Sequence, residues 1–201
     1  ALNDARFLLL DVGAAVSVSM RDMINFALMG TSMAKHLFNI ETPRIGLLNI
    51  GSEKGKGSKR LQHVEAMLSR LPINFIGNVE GHQLWFDTAD VVVTEGVCGN
   101  ILLKSAEGLA KMFIQLIQNN TENGKPPYFI LNRFDANRYG GAFLLGVNGV
   151  CIVCHGEAEE TAYYHAIAFA KQGYEINLTQ RISDIIQSLM NDHPEMFRKD
   201  E

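Results

Sequence analysis

The chain has few cysteines, no long hydrophobic run and no excess of basic residues. Its three cysteines, an odd number in 201 residues, favour reduced thiols and a cytoplasmic location. No apolar run approaches the ~18 residues of a membrane-spanning helix, and the first residues lack the basic start and cleavage site of a signal peptide. With 18 Lys and Arg against 22 Asp and Glu, binding of nucleic acid through a global basic field is excluded.

Internal repeats of 20 to 50 residues are also lacking in the sequence, which excludes a repeat architecture. The apolar fraction of 47% and the charged fraction of 20% are ordinary for a globular domain. A chain of this length buries enough surface for a substantial core. We therefore expect one α/β domain over residues 1–190, followed by a polar tail over residues 191–201.

Apolar runs and helical periodicities alternate along the chain. Strand-like runs cover residues 7–12, 44–50, 73–76, 90–94, 143–147 and 150–153. Helical spacing covers residues 20–38, 61–71, 100–118, 157–172 and 178–190, and residues 119–127 are typical of a loop. This alternation predicts a mostly parallel sheet with helices on both faces.

Glycine is slightly enriched, at 18 residues, and much of it falls where strands are predicted to end. In open α/β sheets, ligands bind beyond the carboxyl ends of the strands. This rule selects four glycine-containing loops, residues 13–19, 51–58, 95–100 and 155–156. They are the candidate functional segments of the chain.

The second of these loops, residues 51–58, combines glycine with positive charge. Four cations and one anion lie between Gly51 and Arg60, and repeated glycine lets backbone N–H groups approach an anion closely. The loop is not a Walker A motif, because Gly57 stands where Ser or Thr should follow Gly-Lys and Ile50 stands where the first Gly should be. Phosphate binding and an exposed flexible loop are both consistent with this pattern.

Other residue patterns in the chain indicate a cofactor, a metal site or a catalytic group only weakly. Cys151-Ile-Val-Cys154-His155 matches the haem-attachment pattern, but its thiols lie in an apolar run, which favours core packing. No zinc-type ligand pairs or nucleophilic triad can be argued from spacing, so neither a metal, a cofactor nor a covalent nucleophile is expected. Asn100 either caps the helix that it precedes or stabilises a developing oxyanion.

Taken together, several segments resemble the PlsX family of bacterial phosphate acyltransferases over nearly the whole chain, in order. The most distinctive strings are Pro43-Arg-Ile-Gly-Leu-Leu-Asn-Ile-Gly-Ser-Glu53, Ile73-Asn-Phe-Ile-Gly-Asn-Val-Glu80 and Tyr139-Gly-Gly-Ala142. Asp11-Val-Gly-Ala14, Phe26-Ala-Leu-Met-Gly30, Asp90-Val-Val-Val-Thr94, Gly99-Asn100, Leu145-Gly-Val-Asn-Gly149 and His155-Gly156 also match. The resemblance implies a three-layer α/β/α fold akin to isocitrate dehydrogenase and phosphotransacetylase, with the N-terminal part of the family fold missing from these 201 residues.

The resemblance also implies an activity, partners and site residues. A long-chain fatty acyl group would pass from acyl carrier protein to inorganic phosphate, giving acyl phosphate for phospholipid synthesis, in a cytoplasmic homodimer loosely associated with the inner membrane surface. The family's functional lysine falls on Lys56 and its functional asparagine on Asn100. Phosphate-binding positions are expected at Gly55, Gly57, Ser58, Gly99 and His155.

The chain departs from the family pattern at several of its motifs. Ala15, Ser58, Lys59, Glu95 and Phe143 replace the usual residues, residues 118–138 are shorter than the family's helical extension, and the family's Asp-Ala-Met-Gly-Gly-Asp motif is lacking. Two alternatives therefore stand beside the acyltransferase. One is a truncated, non-catalytic relative that binds phosphate or carrier protein, and the other is a phosphotransacetylase-like enzyme acting on acyl-CoA. A dehydrogenase is disfavoured because no Gly-x-Gly-x-x-Gly follows a strand.

Overall fold

The computed structural model of the chain describes residues 6–120 and 140–194. The strands are β1 (Leu8–Leu10), β2 (Ile45–Leu48), β3 (Phe75–Val79), β4 (Val91–Val93), β5 (Ala142–Phe143) and β6 (Ile152–Val153). The α-helices are α1 (Met20–Leu37), α2 (Lys59–Leu68), α3 (Gly96–Asn120), α4 (Glu160–Glu175) and α5 (Leu178–Asp192). A short 3₁₀ helix covers Gln83–Trp85.

Four strands form one parallel sheet in the order β1-β4-β2-β3. β4 pairs with β1 on one side and with β2 on the other, so that Val92 lies opposite both Leu9 and Gly46. α1 connects β1 to β2 and α2 connects β2 to β3, as the alternating pattern predicts, because parallel strands need long crossovers. The connection from β3 to β4 contains only the 3₁₀ helix. The predicted α/β class with a mostly parallel sheet is confirmed.

The alternation of side chains in the strands divides the core between the two faces of the sheet. Val91 and Val93 of β4 point to the face covered by α1 and α2, where Ile24, Leu28 and Leu68 are fully buried. Val92 points to the opposite face, where it packs with Leu84 of the 3₁₀ helix and Leu102 of α3. Since both faces are covered, the arrangement is consistent with three α/β/α layers.

Helix α1 is the central helix of the first face and has a defined start. The Ser19 hydroxyl accepts a hydrogen bond from the Asp22 N–H at 3.1 Å, and the Asp22 carboxylate accepts one from the Ser19 N–H at 2.6 Å. This reciprocal capping box satisfies two backbone donors that the helix itself cannot satisfy. Its fully buried residues include Met23, Ile24 and Leu28, and α5 packs against its outer side.

The two late apolar runs do not join the parallel sheet, contrary to the simplest extension of the alternating pattern. β5 and β6 form a separate antiparallel pair, with Ala142 opposite Val153 and Phe143 opposite Ile152. Phe143 packs edge-on against Phe169 of α4, with ring centroids 4.5 Å apart. Only eight residues separate the two strands, too few for a parallel crossover, which takes a dozen or more.

Several predicted boundaries are corrected by the structure. α3 begins at Gly96, so Asn100 lies inside the helix and the prediction that it is the N-cap is wrong. The same helix continues to Asn120, two residues into the predicted loop, and α5 continues to Asp192, two residues into the predicted polar tail. The rest of the loop prediction and Tyr139 lie outside the described residues.

Among the strands that the structure describes, β3 lies at one edge of the sheet, and it is irregular. The register shifts between Ile45 and Gly46 of β2, so that Ile45 lies opposite Phe75 while Gly46 lies opposite Gly77. Gly77 has a φ of 97°, a conformation that glycine adopts more readily than any other residue. The edge strand therefore carries a bulge near its middle.

An ion-pair cluster ties β2 to the segment before β4. The Arg44 guanidinium donates to Asp90 at 2.9 and 3.0 Å and to Asp87 at 2.7 Å, and the Arg44 N–H also donates to Asp90 at 2.7 Å. These hydrogen bonds hold the pKa of the Asp90 carboxyl below its usual range. The ionised carboxylate is thus favoured in the folded state, which links this cluster to pH.

We expect Asp90→Asn to lower the free energy of unfolding at pH 7 by about 1–2 kcal/mol, a value that allows for screening of a partly exposed guanidinium. Because the pKa of Asp90 is lowered on folding, its contribution is present above the unfolded value of about 4 and is lost as pH falls through the folded value. Urea unfolding of both proteins between pH 7 and pH 2.5 should show the difference shrinking at the acid end. Asp87→Asn, at a carboxylate that is 57% exposed, is the control and should cost less; an equal cost would contradict the prediction.

Among residues 6–120 and 140–194, none of the helices is both long enough and apolar enough to span a bilayer.

Candidate functional site

Three of the four predicted loops lie at one edge of the parallel sheet. β1, β4 and β2 are neighbours and run in the same direction, so the segments that follow them emerge side by side. These segments are residues 11–19, residues 94–100 and residues 49–58. We refer to this region as the carboxyl edge.

In the glycine-rich loop, residues 51–58, four backbone carbonyls accept hydrogen bonds from side-chain amides. Asn49 donates to the Lys56 carbonyl at 3.0 Å, and Asn78 donates to the Glu53 carbonyl at 3.2 Å. Gln62 donates to the carbonyls of Gly55 and Gly57 at 2.8 and 3.1 Å. Because the carbonyls are used in this way, the loop has a defined conformation rather than that of an unconstrained surface segment.

The end of this loop leads directly into α2. The Ser58 hydroxyl caps the helix by accepting a hydrogen bond from the Leu61 N–H at 3.3 Å. Within the described part of the chain, the N–H groups of Gly57, Ser58 and Lys59 have no hydrogen-bond acceptor. Free N–H groups at a helix start, next to basic side chains, favour the binding of an anion.

Gly55 and Gly57 are both required by the backbone of this loop. Their φ angles are 80° and 81°, in the region that favours glycine. A Cβ on Gly57 would also overlap the Asn49 side-chain amide, whereas a Cβ on Gly55 would meet nothing. The backbone conformation thus explains both glycines, and close packing against Asn49 is a second reason for Gly57. Their role in phosphate binding remains a prediction.

Lys56 lies in this loop with its side chain 51% exposed. Its ammonium is 3.9 Å from the Glu53 carboxylate, at the limit of an ion pair. An exposed pair at this distance contributes little, so the ammonium can exchange Glu53 for an incoming anion. The aliphatic part of the Lys56 side chain runs past Gly51, where a Cβ would lie 3.2 Å from Lys56 Cγ.

Asn100 lies on α3, one turn after its start, and is exposed. It packs beside Gly13 of the β1 loop, where a Cβ would lie 3.3 Å from Asn100 Cβ. Asn100 is therefore at the carboxyl edge, and its side-chain amide is accessible. The structure does not bring it into direct contact with Lys56, which reaches the same edge from the neighbouring strand.

The β1 loop is shaped by Asp11, which sequence reasoning did not assign. Its buried carboxylate accepts hydrogen bonds from the N–H groups of Gly13, Ala14 and Ala15 at 2.9, 2.9 and 2.8 Å. The start of α3 packs against this turn: a Cβ on Gly99 would overlap the Asp11 carbonyl, and one on Gly96 would overlap that of Ala15. Gly99 is buried in this contact, so the structure gives it a packing role, and its role in phosphate binding remains a prediction.

An ion pair connects the second and third segments of the carboxyl edge. Arg60 of α2 lies 3.0 Å from the Glu95 carboxylate, which precedes α3. A second guanidinium nitrogen of Arg60 is buried and has no hydrogen-bond partner among the described residues. This pair fixes the starts of the two helices relative to each other.

His155 does not follow a strand of the parallel sheet. It follows β6 of the antiparallel pair and is exposed, and its ring accepts a hydrogen bond from the nearby Glu157 N–H at 3.2 Å. The rule that places ligands beyond parallel strands therefore does not apply to it, and its role in phosphate binding remains a prediction.

Cys151 and Cys154 are half-buried free thiols, and no cluster able to hold a metal ion occurs within the described ranges.

Sequence reasoning missed the polar residues beneath the glycine-rich loop. Asn49 follows the apolar strand β2, and Asn78 interrupts the apolar strand β3, yet both are buried. A buried asparagine in an apolar run indicates a specific hydrogen-bond partner, and this is the signal that could have identified them. Gln62 and Glu65 gave no comparable signal, because polar residues on a helix are usually solvated.

The chain is similar both to a known protein family and to individual proteins. A family model described as "Fatty acid synthesis protein" matches residues 1–181. Among individual proteins, the "Phosphate acyltransferase" of Elusimicrobium minutum is 40% identical over 96% of this chain and 58% of its own length. Those of Heliobacterium modesticaldum and Desulfitobacterium hafniense are 38% and 41% identical over 89% and 87% of this chain.

The chain spans less than two thirds of the length of the curated relatives it matches, at 58%, 57% and 56% of these three proteins. The match nevertheless includes the carboxyl edge and nearly every described element. The family model covers far more than half of the chain, and identities near 40% extend over most of it. On both grounds, the chain belongs to the fatty acid synthesis protein family, PlsX, whose curated relatives are phosphate acyltransferases.

Proposed function

We propose that the protein transfers a long-chain fatty acyl group from acyl carrier protein to inorganic phosphate. One phosphate oxygen attacks the carbonyl carbon of the acyl thioester, forming a tetrahedral intermediate with a negatively charged oxygen. The intermediate then collapses and the C–S bond breaks, so that acyl phosphate and the free thiol of the carrier are released. Because phosphate is itself the nucleophile, the reaction needs no nucleophilic side chain.

The observation that supports this proposal most directly is the arrangement of the glycine-rich loop. An exposed lysine and free N–H groups at the start of α2 stand beside each other in a loop whose carbonyls are turned to other partners. A dianion such as phosphate needs this combination of a point charge and backbone donors. In this proposal Lys56 pairs with phosphate, and the N–H groups of Gly57 and Ser58 hold its oxygens.

Asn100 is proposed to stabilise the developing oxyanion. Its exposed amide stands at the carboxyl edge on α3, next to the segment that carries Lys56. A neutral amide N–H can donate to the negatively charged oxygen of the tetrahedral intermediate. Because the amide carries no net charge, it does not compete with Lys56 for the phosphate dianion. The remaining proposed phosphate contacts, at Gly99 and His155, follow from the resemblance alone.

An acidic carrier protein is the acyl donor that this surface favours. Lys54, Lys56, Lys59 and Arg60 are clustered around one edge of the molecule in a chain with a net charge of −4. Such a local patch accelerates the approach of an acidic partner. Assembly as a homodimer and contact with the inner membrane surface are further proposals that follow from the family.

The test is consumption of acyl carrier protein substrate by the full-length protein with and without orthophosphate. We expect loss of acyl-carrier thioester that depends on phosphate, with one acyl phosphate formed per thiol released. Acetyl-CoA serves as the alternative donor. Preference for acetyl-CoA would favour a phosphotransacetylase-like enzyme, and binding of orthophosphate without turnover would favour a non-catalytic relative.

A further inference from the structure

Beneath the glycine-rich loop, two buried asparagines form a hydrogen-bonded pair that spans neighbouring strands. Asn49 follows β2 and Asn78 belongs to β3, and they are 8% and 6% exposed. The Asn49 amide donates to the Asn78 side-chain oxygen at 3.0 Å. Two side-chain amides at such depth are costly to bury unless their hydrogen bonds are satisfied, and here the partners belong to the loop.

Each amide in this pair donates to one loop carbonyl. The second hydrogen of the Asn49 amide is donated to the Lys56 carbonyl, and Asn78 donates to the Glu53 carbonyl. The Asn49 oxygen in turn accepts from the Ile50 N–H at 2.8 Å. Both residues must donate and accept at once, which an amide can do and an ionised carboxylate cannot.

Two residues of α2 hold the same loop from the other side. The exposed Gln62 amide donates to the carbonyls of Gly55 and Gly57, and the buried Glu65 carboxylate accepts from the Gly55 N–H at 3.0 Å. The backbone on either side of Lys56 is therefore fixed at several points. None of these side chains needs to touch an anion bound above the loop.

We propose that Asn49, Asn78 and Gln62 are positioning residues for phosphate. They bind the carbonyls of residues 53, 55, 56 and 57, so that these carbonyl oxygens point away from the anion. The N–H groups of Gly57, Ser58 and Lys59 and the Lys56 ammonium remain available to it. A carbonyl that turned outward would repel phosphate, because its oxygen carries partial negative charge. This inference rests on the proposed function of the loop and adds the residues that give the loop its selectivity for an anion.

The first test is Asn78→Asp in the full-length protein, compared with Asn74→Asp. The aspartate is nearly the same size and still accepts from Asn49, but when ionised it cannot donate to the Glu53 carbonyl. We expect the KM for phosphate to rise about 10- to 100-fold, as for other small displacements of binding groups, while the KM for the acyl donor stays unchanged. Asn74 is exposed, and its side-chain amide donates to the Thr42 carbonyl at 3.4 Å, outside the glycine-rich loop, so its variant should behave as wild type.

The second test is Gln62→Ala, which releases two loop carbonyls without disturbing the core. We expect the KM for phosphate to rise about fivefold, a modest effect because the two hydrogen bonds lost are exposed to solvent. Because Gln62 is exposed, this variant decides the matter if Asn78→Asp does not fold. A folded variant with an unchanged KM for phosphate, or with the KM values of both substrates raised equally, would overturn the inference.

A binding measurement separates this inference from the proposed function. Orthophosphate that binds the native protein raises its Tm in a concentration-dependent way, whether or not any acyl group is transferred. We expect this shift to be reduced in Asn78→Asp and Gln62→Ala and preserved in Asn74→Asp. If the wild-type protein shows no acyl transfer, the proposed function fails. If the Tm shift with orthophosphate is unchanged in both Asn78→Asp and Gln62→Ala, the positioning role is overturned.

Discussion

Lys56→Ala is expected to reduce phosphate-dependent acyl transfer by about 100- to 1000-fold, the range seen when one charge-stabilising group is removed from an active site. The lysine side chain is 51% exposed, and among the described residues its ion pair is with Glu53, at 3.9 Å. Its removal therefore costs little stability, and the variant should fold. The measurement is the initial rate of acyl-carrier consumption at several phosphate concentrations.

Lys54→Ala is the matched control, because Lys54 lies in the same loop and is exposed as well. If general positive charge near the loop were sufficient, the two variants would lose similar activity. We instead expect Lys54→Ala to stay within about threefold of wild type, as for an exposed charge that steers a partner. A folded Lys56→Ala protein with the wild-type rate would remove Lys56 from the proposed mechanism.

Gly99→Ala is expected to lower the free energy of unfolding by about 2–4 kcal/mol, towards the upper end for small-to-large changes in a packed site. Its Cβ would overlap the Asp11 carbonyl and lie 2.9 Å from the Thr94 side chain. Backbone cannot move aside as a flexible side chain can, so α3 has to shift away from the β1 loop. Urea unfolding followed by circular dichroism measures the loss.

Gly108→Ala provides the comparison within the same helix. A Cβ at Gly108 would meet nothing within 4 Å, and alanine is a better helix former than glycine by about 1 kcal/mol. We therefore expect Gly108→Ala to stabilise the protein slightly while Gly99→Ala destabilises it. Equal effects at the two positions would show that α3 is not held by its contact with Asp11. Since α3 also carries Asn100, the Gly99 variant should lose activity as well.

Much of the fold could be predicted from the sequence, because the apolar strands of the parallel sheet and the amphipathic helices around it have strong local patterns. The apolar run at residues 90–94 and the helical spacing of residues 20–38 correspond closely to β4 and α1. The antiparallel pairing of β5 with β6 was harder to predict, since a short apolar run has the same pattern in a parallel sheet and in a hairpin. The start of α3 was misplaced because glycines at residues 96 and 99 are typical of a loop, and only their packing against Asp11 and Ala15 explains them.

The candidate site was predictable to a similar degree. Glycine and lysine in one loop indicated an anion-binding site, and the family resemblance selected Lys56 and Asn100 as its functional residues. Asn49 and Asn78 donate to loop carbonyls that lie 7 and 25 residues away in the sequence, respectively. The hydrogen bond between the two asparagines spans 29 residues. Such pairings depend on strand register, which a single sequence does not fix. This is why the residues that shape the loop were found only in the structure.

The bulge at the edge strand β3 has a consequence for the solubility of the protein. A regular edge strand exposes a row of unpaired N–H and C=O groups that can recruit a strand from another molecule. The register shift at Ile45–Gly46 and the backbone of Gly77 interrupt this row. A strand from another molecule could therefore form only a short ladder along β3, which lowers the tendency of this edge to aggregate.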